Sequence, residues 1–118
     1  MSKWMKATGI VAAVMMVAPV VSFGGAPTEP DKKAERMWKA KCASCHGMDG
    51  KAATDQGKKA KVRDMTTPEY QKITDQQIKD ALAKGVKKDG SEMEAYADLK
   101  PEQVDMLVNY VRWVGTKK

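Results

Sequence analysis

The chain has 118 residues, 42% of them hydrophobic, and a formal net charge of +6, which is enough for one folded domain. The basic excess is mild and no basic stretch alternates with aromatic residues, so nucleic-acid binding is not predicted. A closed structural zinc site is excluded, because two cysteines and one histidine cannot supply four such ligands.

Residues 1–25 have the pattern of a secretory signal peptide. Lys3 and Lys6 precede an uncharged apolar stretch at 7–23, and small residues follow where a peptidase can cut. We therefore predict a signal peptide at 1–25, a folded domain at 26–118, and export to the periplasm, with the cleavage position approximate. Loss of both lysines lowers the formal charge from +6 to +4. The alternative is an uncleaved signal anchor that tethers the protein to a membrane, because the apolar stretch is only slightly shorter than a bilayer span.

The first helix of the folded domain is predicted to begin at Thr28, which would act as its cap. Its apolar stripe includes Ala34 and Trp38, and it should end by Gly47. Residues 48–63 are rich in glycine, lysine and alanine without a clear period, which predicts a loop.

Three more helices follow in the second half of the chain. Thr67 and the proline after it indicate a short helix, and Thr74 opens a capping box for a helix that stops at Gly85. Residues 86–99 are predicted to form a second loop, and Pro101 starts the last helix. No strand signal is present, so the predicted fold is all-α. The buried stripe of the last helix comprises Val104, Leu107, Val108, Val111 and Val114, flanked by Tyr110 and Trp113.

The segment Cys42-Ala43-Ser44-Cys45-His46 has the C-x-x-C-H arrangement of c-type haem attachment. Two cysteines three apart on a helical turn project to one side, so each thiol can bond one vinyl group at a haem edge. The histidine that follows can ligate the iron from one face. A thioredoxin-like pair would need a βαβ pattern that is missing, whereas a structural disulfide stays open. Haem would also fill an interior poor in aromatics, since the one phenylalanine, Phe23, lies in the leader.

The second axial ligand of such an iron cannot be a histidine, because His46 is the only one in the chain. Methionine, lysine, water or an open position remain. Met48 is too near His46 to reach the opposite face, whereas Met65 and Met93 are candidates. The position of Met93, just before the last helix, favours it over Met65.

These residues resemble the monohaem class I cytochrome c family, including small bacterial periplasmic members, over 34–113. The resemblance implies a cytochrome c fold, with three to four helices around one covalent haem and the N- and C-terminal helices crossing. Ala34 and Trp38 look like the family's contact pair on the first helix. Leu107 and Tyr110 resemble the matching pair on the last.

The segment Met93–Tyr96 looks like the family's Met-Pro-Ala-Phe/Tyr sequence, whose methionine sulfur is the distal ligand. The resemblance therefore implies His46 as the proximal ligand and Met93 as the distal one, with Met65 as runner-up. Glu94 stands where the family usually has proline. No proline follows His46 in the first loop to accept a hydrogen bond from its second nitrogen, so we predict a carbonyl within 57–63 as acceptor.

The same resemblance implies a soluble periplasmic electron carrier that cycles Fe(III)/Fe(II), works with redox protein partners and is not an enzyme. We also expect a monomer. Trp38, Tyr70 and Tyr96 are candidates for packing on the haem or for contacts with its propionates. The alternative function is a haem-based gas sensor or peroxidase-like enzyme with a weak or open distal position. An acidic partner could dock on basic residues near the haem edge. These are Lys58, Lys59, Lys61, Arg63, Lys84, Lys87 and Lys88.

Overall fold

The computed structural model describes residues 26–117, together with Gly9. The predicted signal peptide therefore falls outside the described residues, apart from Gly9. Within residues 26–117, no helix combines the length and the apolar character needed to cross a membrane. The helices are α1 (Lys32–Lys41), α2 (Ala43–His46), α3 (Asp55–Lys59), α4 (Pro68–Gln71), α5 (Asp75–Lys84) and α6 (Pro101–Val114), and the strands are β1 (Val86–Lys88) and β2 (Ser91–Met93).

The start of the first helix was predicted wrongly. Its cap is Asp31, whose carboxylate accepts a hydrogen bond from the Ala34 N–H at 2.8 Å. Thr28 instead lies along α6, where its N–H donates to Asn109 Oδ1 at 3.0 Å and its carbonyl accepts from Asn109 Nδ2 at 2.9 Å. A partner 81 residues away thus holds Thr28 outside the helix.

The stretch 48–63, predicted as a loop, contains α3. Thr54 caps this helix, because its hydroxyl oxygen accepts from the Gly57 N–H at 2.9 Å. Only one residue of α3, Gly57, is buried, so the helix carries no apolar stripe that a sequence pattern could reveal.

The prediction that no strand occurs is also wrong. Strands β1 and β2 form an antiparallel hairpin in which Val86 pairs with Met93 and Lys88 with Ser91. Asp89 and Gly90 form the two-residue turn, with φ of 54° and 80°. The strands are mostly polar and exposed, so the Asp-Gly pair was the one signal for a hairpin.

The other helix ends agree with the predictions. Thr67 caps α4, Thr74 and Gln77 form the capping box of α5, and Pro101 begins α6. The helix count exceeds the predicted three to four for two reasons. The first predicted helix is divided at Cys42 into α1 and α2, and α3 is additional.

The core lies between α1, α5 and α6. At the contact of α1 with α6, Ala34, Trp38, Leu107 and Tyr110 are each no more than 4% exposed. The Trp38 and Tyr110 rings stack with centroids 4.3 Å apart. The pair Ala34 and Trp38 on α1 therefore packs against the pair Leu107 and Tyr110 on α6, as the family resemblance implied.

Candidate functional site

The C-x-x-C-H segment lies on a sharp helical turn directly after α1. The Cys42 N–H still donates to the Trp38 carbonyl at 2.8 Å, and the Cys42 carbonyl accepts from the His46 N–H at 2.9 Å. Gly47 then ends α2 with φ of 76°. Both cysteines are free thiols in this structure, so no disulfide joins them.

The donor groups of this segment suit haem attachment. Burial raises the pKa of the Cys42 thiol to about 11, and Cys45 is half-buried. Burial lowers the pKa of His46, which keeps its imidazole neutral and able to bind a metal. The buried Nδ1 atom of His46 has no hydrogen-bond partner among the described residues, so the predicted acceptor within 57–63 is not formed there. Two free thiols one helical turn apart beside a neutral imidazole fit a covalently attached haem.

The backbone of the segment is held from two sides. Trp38 donates its indole N–H to the Gly47 carbonyl at 2.9 Å, and its ring lies 5.9 Å from that of His46, centroid to centroid. From α3, the Thr54 hydroxyl lies 2.7 Å from the Ser44 carbonyl oxygen and 3.1 Å from that of Cys45. Sequence reasoning missed Thr54, because it lies in the stretch predicted as a loop.

Gly57 is the second positioning residue that the sequence did not reveal. It is buried in α3, where a Cβ atom would overlap the Cys45 carbonyl oxygen and lie 2.8 Å from that of Ala52. The close approach of α3 to the attachment segment therefore requires glycine at this position.

Tyr96, three residues after Met93, contacts the end of α1 directly before the attachment segment. Met93 is half-buried at the end of β2 and packs on the buried cluster that contains Cys42. Tyr96 brings this stretch close to the cysteines, because its hydroxyl lies 2.8 Å from the carbonyl oxygen of Lys41, the residue before Cys42. The tertiary structure thus brings Tyr96 next to the residue before Cys42, 55 positions away in the sequence.

Met65 has different surroundings. Its side chain is 1% exposed, and its N–H donates to the Gly50 carbonyl at 3.0 Å. A Cβ atom on Gly50 would lie 2.8 Å from Met65 Cγ, 3.2 Å from its sulfur and 2.9 Å from Val114 Cγ2. Met65 therefore fills the core between Gly50 and the end of α6, which is the usual role of a buried methionine.

The three aromatic candidates differ in what their polar atoms can do. The Trp38 N–H and the Tyr96 hydroxyl already have carbonyl acceptors, so the predicted propionate contacts have no free donor at these two residues. Packing on the haem stays a prediction for both. The Tyr70 ring lies 5.0 Å from the Arg63 guanidinium carbon, and burial raises the pKa of its hydroxyl. Tyr70 thus remains the candidate donor.

The hairpin brings two basic stretches together. Ser91 of β2 donates its hydroxyl to the Lys61 carbonyl at 2.9 Å, which docks the hairpin on the end of the first loop. Lys61 thereby lies next to the hairpin that carries Lys87 and Lys88, and these three residues and Lys58 are exposed.

This combination of a helical C-x-x-C-H turn, a neutral half-buried histidine and packed terminal helices defines a c-type cytochrome domain. Residues 29–111 match the family described as "Cytochrome C oxidase, cbb3-type, subunit III". The solved structure named "KustC0563 c-type cytochrome" is similar, with 30% identity and a TM-score of 0.60 over 69% of this chain and 95% of that one. No curated protein matches the chain.

The chain therefore belongs to the c-type cytochrome family, and its cofactor is covalently bound haem c. The resemblance to small monohaem cytochromes and the all-α cytochrome c fold are confirmed. Membership also implies electron transfer and redox partners in general.

Proposed function

We propose that this chain is a soluble periplasmic electron carrier with one haem c, which His46 and Met93 ligate on opposite faces. The observation that carries the proposal is the contact between the Tyr96 hydroxyl and the Lys41 carbonyl, 2.8 Å apart. It holds Tyr96, three residues after Met93, next to the segment that attaches the haem. The signal peptide predicted at 1–25 supports export.

The chain's own residues have distinct tasks in this function. Bound haem c supplies one-electron Fe(III)/Fe(II) chemistry. Cys42 and Cys45 would hold it covalently, so the cofactor cannot be lost outside the cell. His46 is half-buried, and burial lowers its pKa, which favours the neutral imidazole that a proximal ligand needs. The Met93 thioether would complete the coordination and favour a higher potential than a second histidine would.

With both axial positions filled, no site is left for a substrate at the iron, so the protein would carry electrons without making or breaking bonds. The exposed lysines of the hairpin and the first loop would attract an acidic redox protein and speed their encounter. This attraction weakens as ionic strength rises.

Carbon monoxide tests this function against the gas-sensor or peroxidase-like alternative. We expect slow and incomplete binding to the reduced protein at neutral pH, because Met93 must leave first. Visible spectra recorded after mixing provide the measurement. Rapid and complete binding would establish a weak or open distal position and refute the electron-carrier proposal.

Substitution of the two methionines tests which one ligates. Met93→Ala should abolish the weak red to near-infrared band of ferric haem with methionine ligation, whereas Met65→Ala should keep the band and lose stability. Met65→Ala should cost about 2–5 kcal/mol, because it empties a fully buried position. The opposite spectral pattern would transfer the ligand role to Met65.

A further inference from the structure

Tyr96 connects the C-terminal ends of two helices. Its backbone N–H donates to the Leu82 carbonyl in the last turn of α5 at 2.6 Å. Its hydroxyl donates to the Lys41 carbonyl at the end of α1, at 2.8 Å. Carbonyls in the last turn of a helix have no intrahelical partner, so both bonds satisfy groups that would otherwise need water.

The residues between Met93 and Tyr96 are also held from the side of α5. Gly85, just after that helix, has φ of 74°, and a Cβ atom there would lie 2.6 Å from the Met93 carbonyl oxygen and 3.1 Å from the Ala95 nitrogen. The Lys41 ammonium lies 5.6 Å from the Tyr96 ring centroid, within the range of a cation–π contact. Met93 thus lies three residues before Tyr96, which is bonded to two helix ends.

We propose that Tyr96 is a positioning residue for the distal ligand: its hydroxyl, bonded to the Lys41 carbonyl, acts as a latch that keeps Met93 over the haem. This inference rests on the proposed ligation by Met93. Glu94 leaves the backbone after Met93 free to rotate, whereas a proline there would fix φ. The latch supplies the missing restraint by hydrogen bonding.

The Glu94 carboxylate competes with the Lys41 carbonyl for the proton of the Tyr96 hydroxyl. The Tyr96 hydroxyl has one proton and two acceptors, the Lys41 carbonyl at 2.8 Å and Glu94 Oε1 at 3.0 Å. Removing the carboxylate leaves the Lys41 carbonyl as the acceptor for that proton. Removal of the Tyr96 hydroxyl should therefore weaken the binding of Met93 to the iron, whereas removal of the Glu94 carboxylate should strengthen it.

The test uses the haem-loaded ferric protein and imidazole, which competes with methionine for the iron. Tyr96→Phe should bind imidazole about fivefold more tightly than the wild type, which corresponds to about 1 kcal/mol for one hydrogen bond. Glu94→Ala should bind it about twofold more weakly. Spectral titration of the methionine band measures both affinities.

Tyr110→Phe is the matched control. The Tyr110 hydroxyl also donates to a backbone carbonyl, that of Met48 at 3.3 Å, but it makes no hydrogen bond to Lys41 or to residues 93–96. We expect this variant to lower the unfolding midpoint and to leave imidazole affinity unchanged. An equal rise in affinity in both tyrosine variants would show general loosening and overturn the latch.

The remaining outcomes separate the latch from the ligation. If the wild type shows the methionine band and Tyr96→Phe binds imidazole no more tightly, the latch is refuted while Met93 ligation stands. If the wild type lacks the band and matches Met93→Ala in imidazole affinity, the ligation is refuted and the latch with it. If Tyr96→Phe does not fold, Glu94→Ala decides, because tighter imidazole binding in that variant contradicts the latch.

Discussion

Replacing Gly57 by alanine tests whether α3 packs directly on the haem-attachment segment. Gly57 lies inside α3, and its φ is not in the left-handed region. At an unobstructed helix position, alanine in place of glycine stabilises a protein by about 0.5–1 kcal/mol. Helix propensity alone therefore predicts that Gly57→Ala is more stable than the wild type.

The packing around Gly57 reverses that expectation. The added methyl group would overlap the Cys45 carbonyl oxygen and lie 2.8 Å from the Ala52 carbonyl oxygen. Both obstacles are backbone atoms, which cannot move aside as a flexible side chain can. Overpacking typically costs about 1–3 kcal/mol, so we expect a net loss of about 2 kcal/mol, or about 10 °C in Tm.

Guanidinium chloride unfolding of the haem-loaded protein, followed by far-ultraviolet circular dichroism and haem absorbance, measures this loss. Gln56→Ala, at an exposed position of the same helix, is the control and should change stability by less than about 0.5 kcal/mol. A Gly57→Ala variant as stable as the wild type, or more stable, would show that α3 does not lie against Cys45.

Two further substitutions test the contacts of α6 and α1. Arg112→Lys should lower the free energy of unfolding by about 2 kcal/mol, since the Arg112 guanidinium donates to the carbonyls of Gln71 and Ile73 and an ammonium cannot reproduce that fork. Unchanged denaturant midpoints would refute this role. Trp38→Phe should cost about 3 kcal/mol by leaving the Gly47 carbonyl without its donor and the core underfilled. A loss below about 0.5 kcal/mol in the same assay would contradict the assignment.

The helix starts at Thr67, Thr74 and Pro101 were predictable because each depends on residues within one turn. A hydroxyl oxygen that accepts from an N–H three positions later needs no distant partner. Thr28 has the same side chain and failed as a cap, because Asn109 of α6 bonds its backbone instead. Capping residues indicate where a helix can begin, but a tertiary hydrogen bond to the same backbone can move the start of the helix.

The elements that were missed are short and owe their stability to docking. Helix α3 has five residues, and the hydroxyl of its cap, Thr54, donates a hydrogen bond to the Ser44 carbonyl. The hairpin is bound in the same way, because the Ser91 hydroxyl donates to the Lys61 carbonyl. Neither has the apolar periodicity from which a sequence pattern predicts structure. Because α3 was not predicted, the sequence also did not reveal that Thr54 and Gly57 contact the haem-attachment segment.

The sequence by itself determined the attachment chemistry of this cytochrome, because Cys42, Cys45 and His46 are contiguous and one helical turn suffices to align them. It also excluded a second histidine as the distal ligand, since the chain has a single histidine. Only the tertiary structure decided how Met65 and Met93 differ. Met65 is packed into the core, whereas Met93 lies three residues before Tyr96, which bonds to two helix ends, and such contacts between distant residues exist only once the helices have packed.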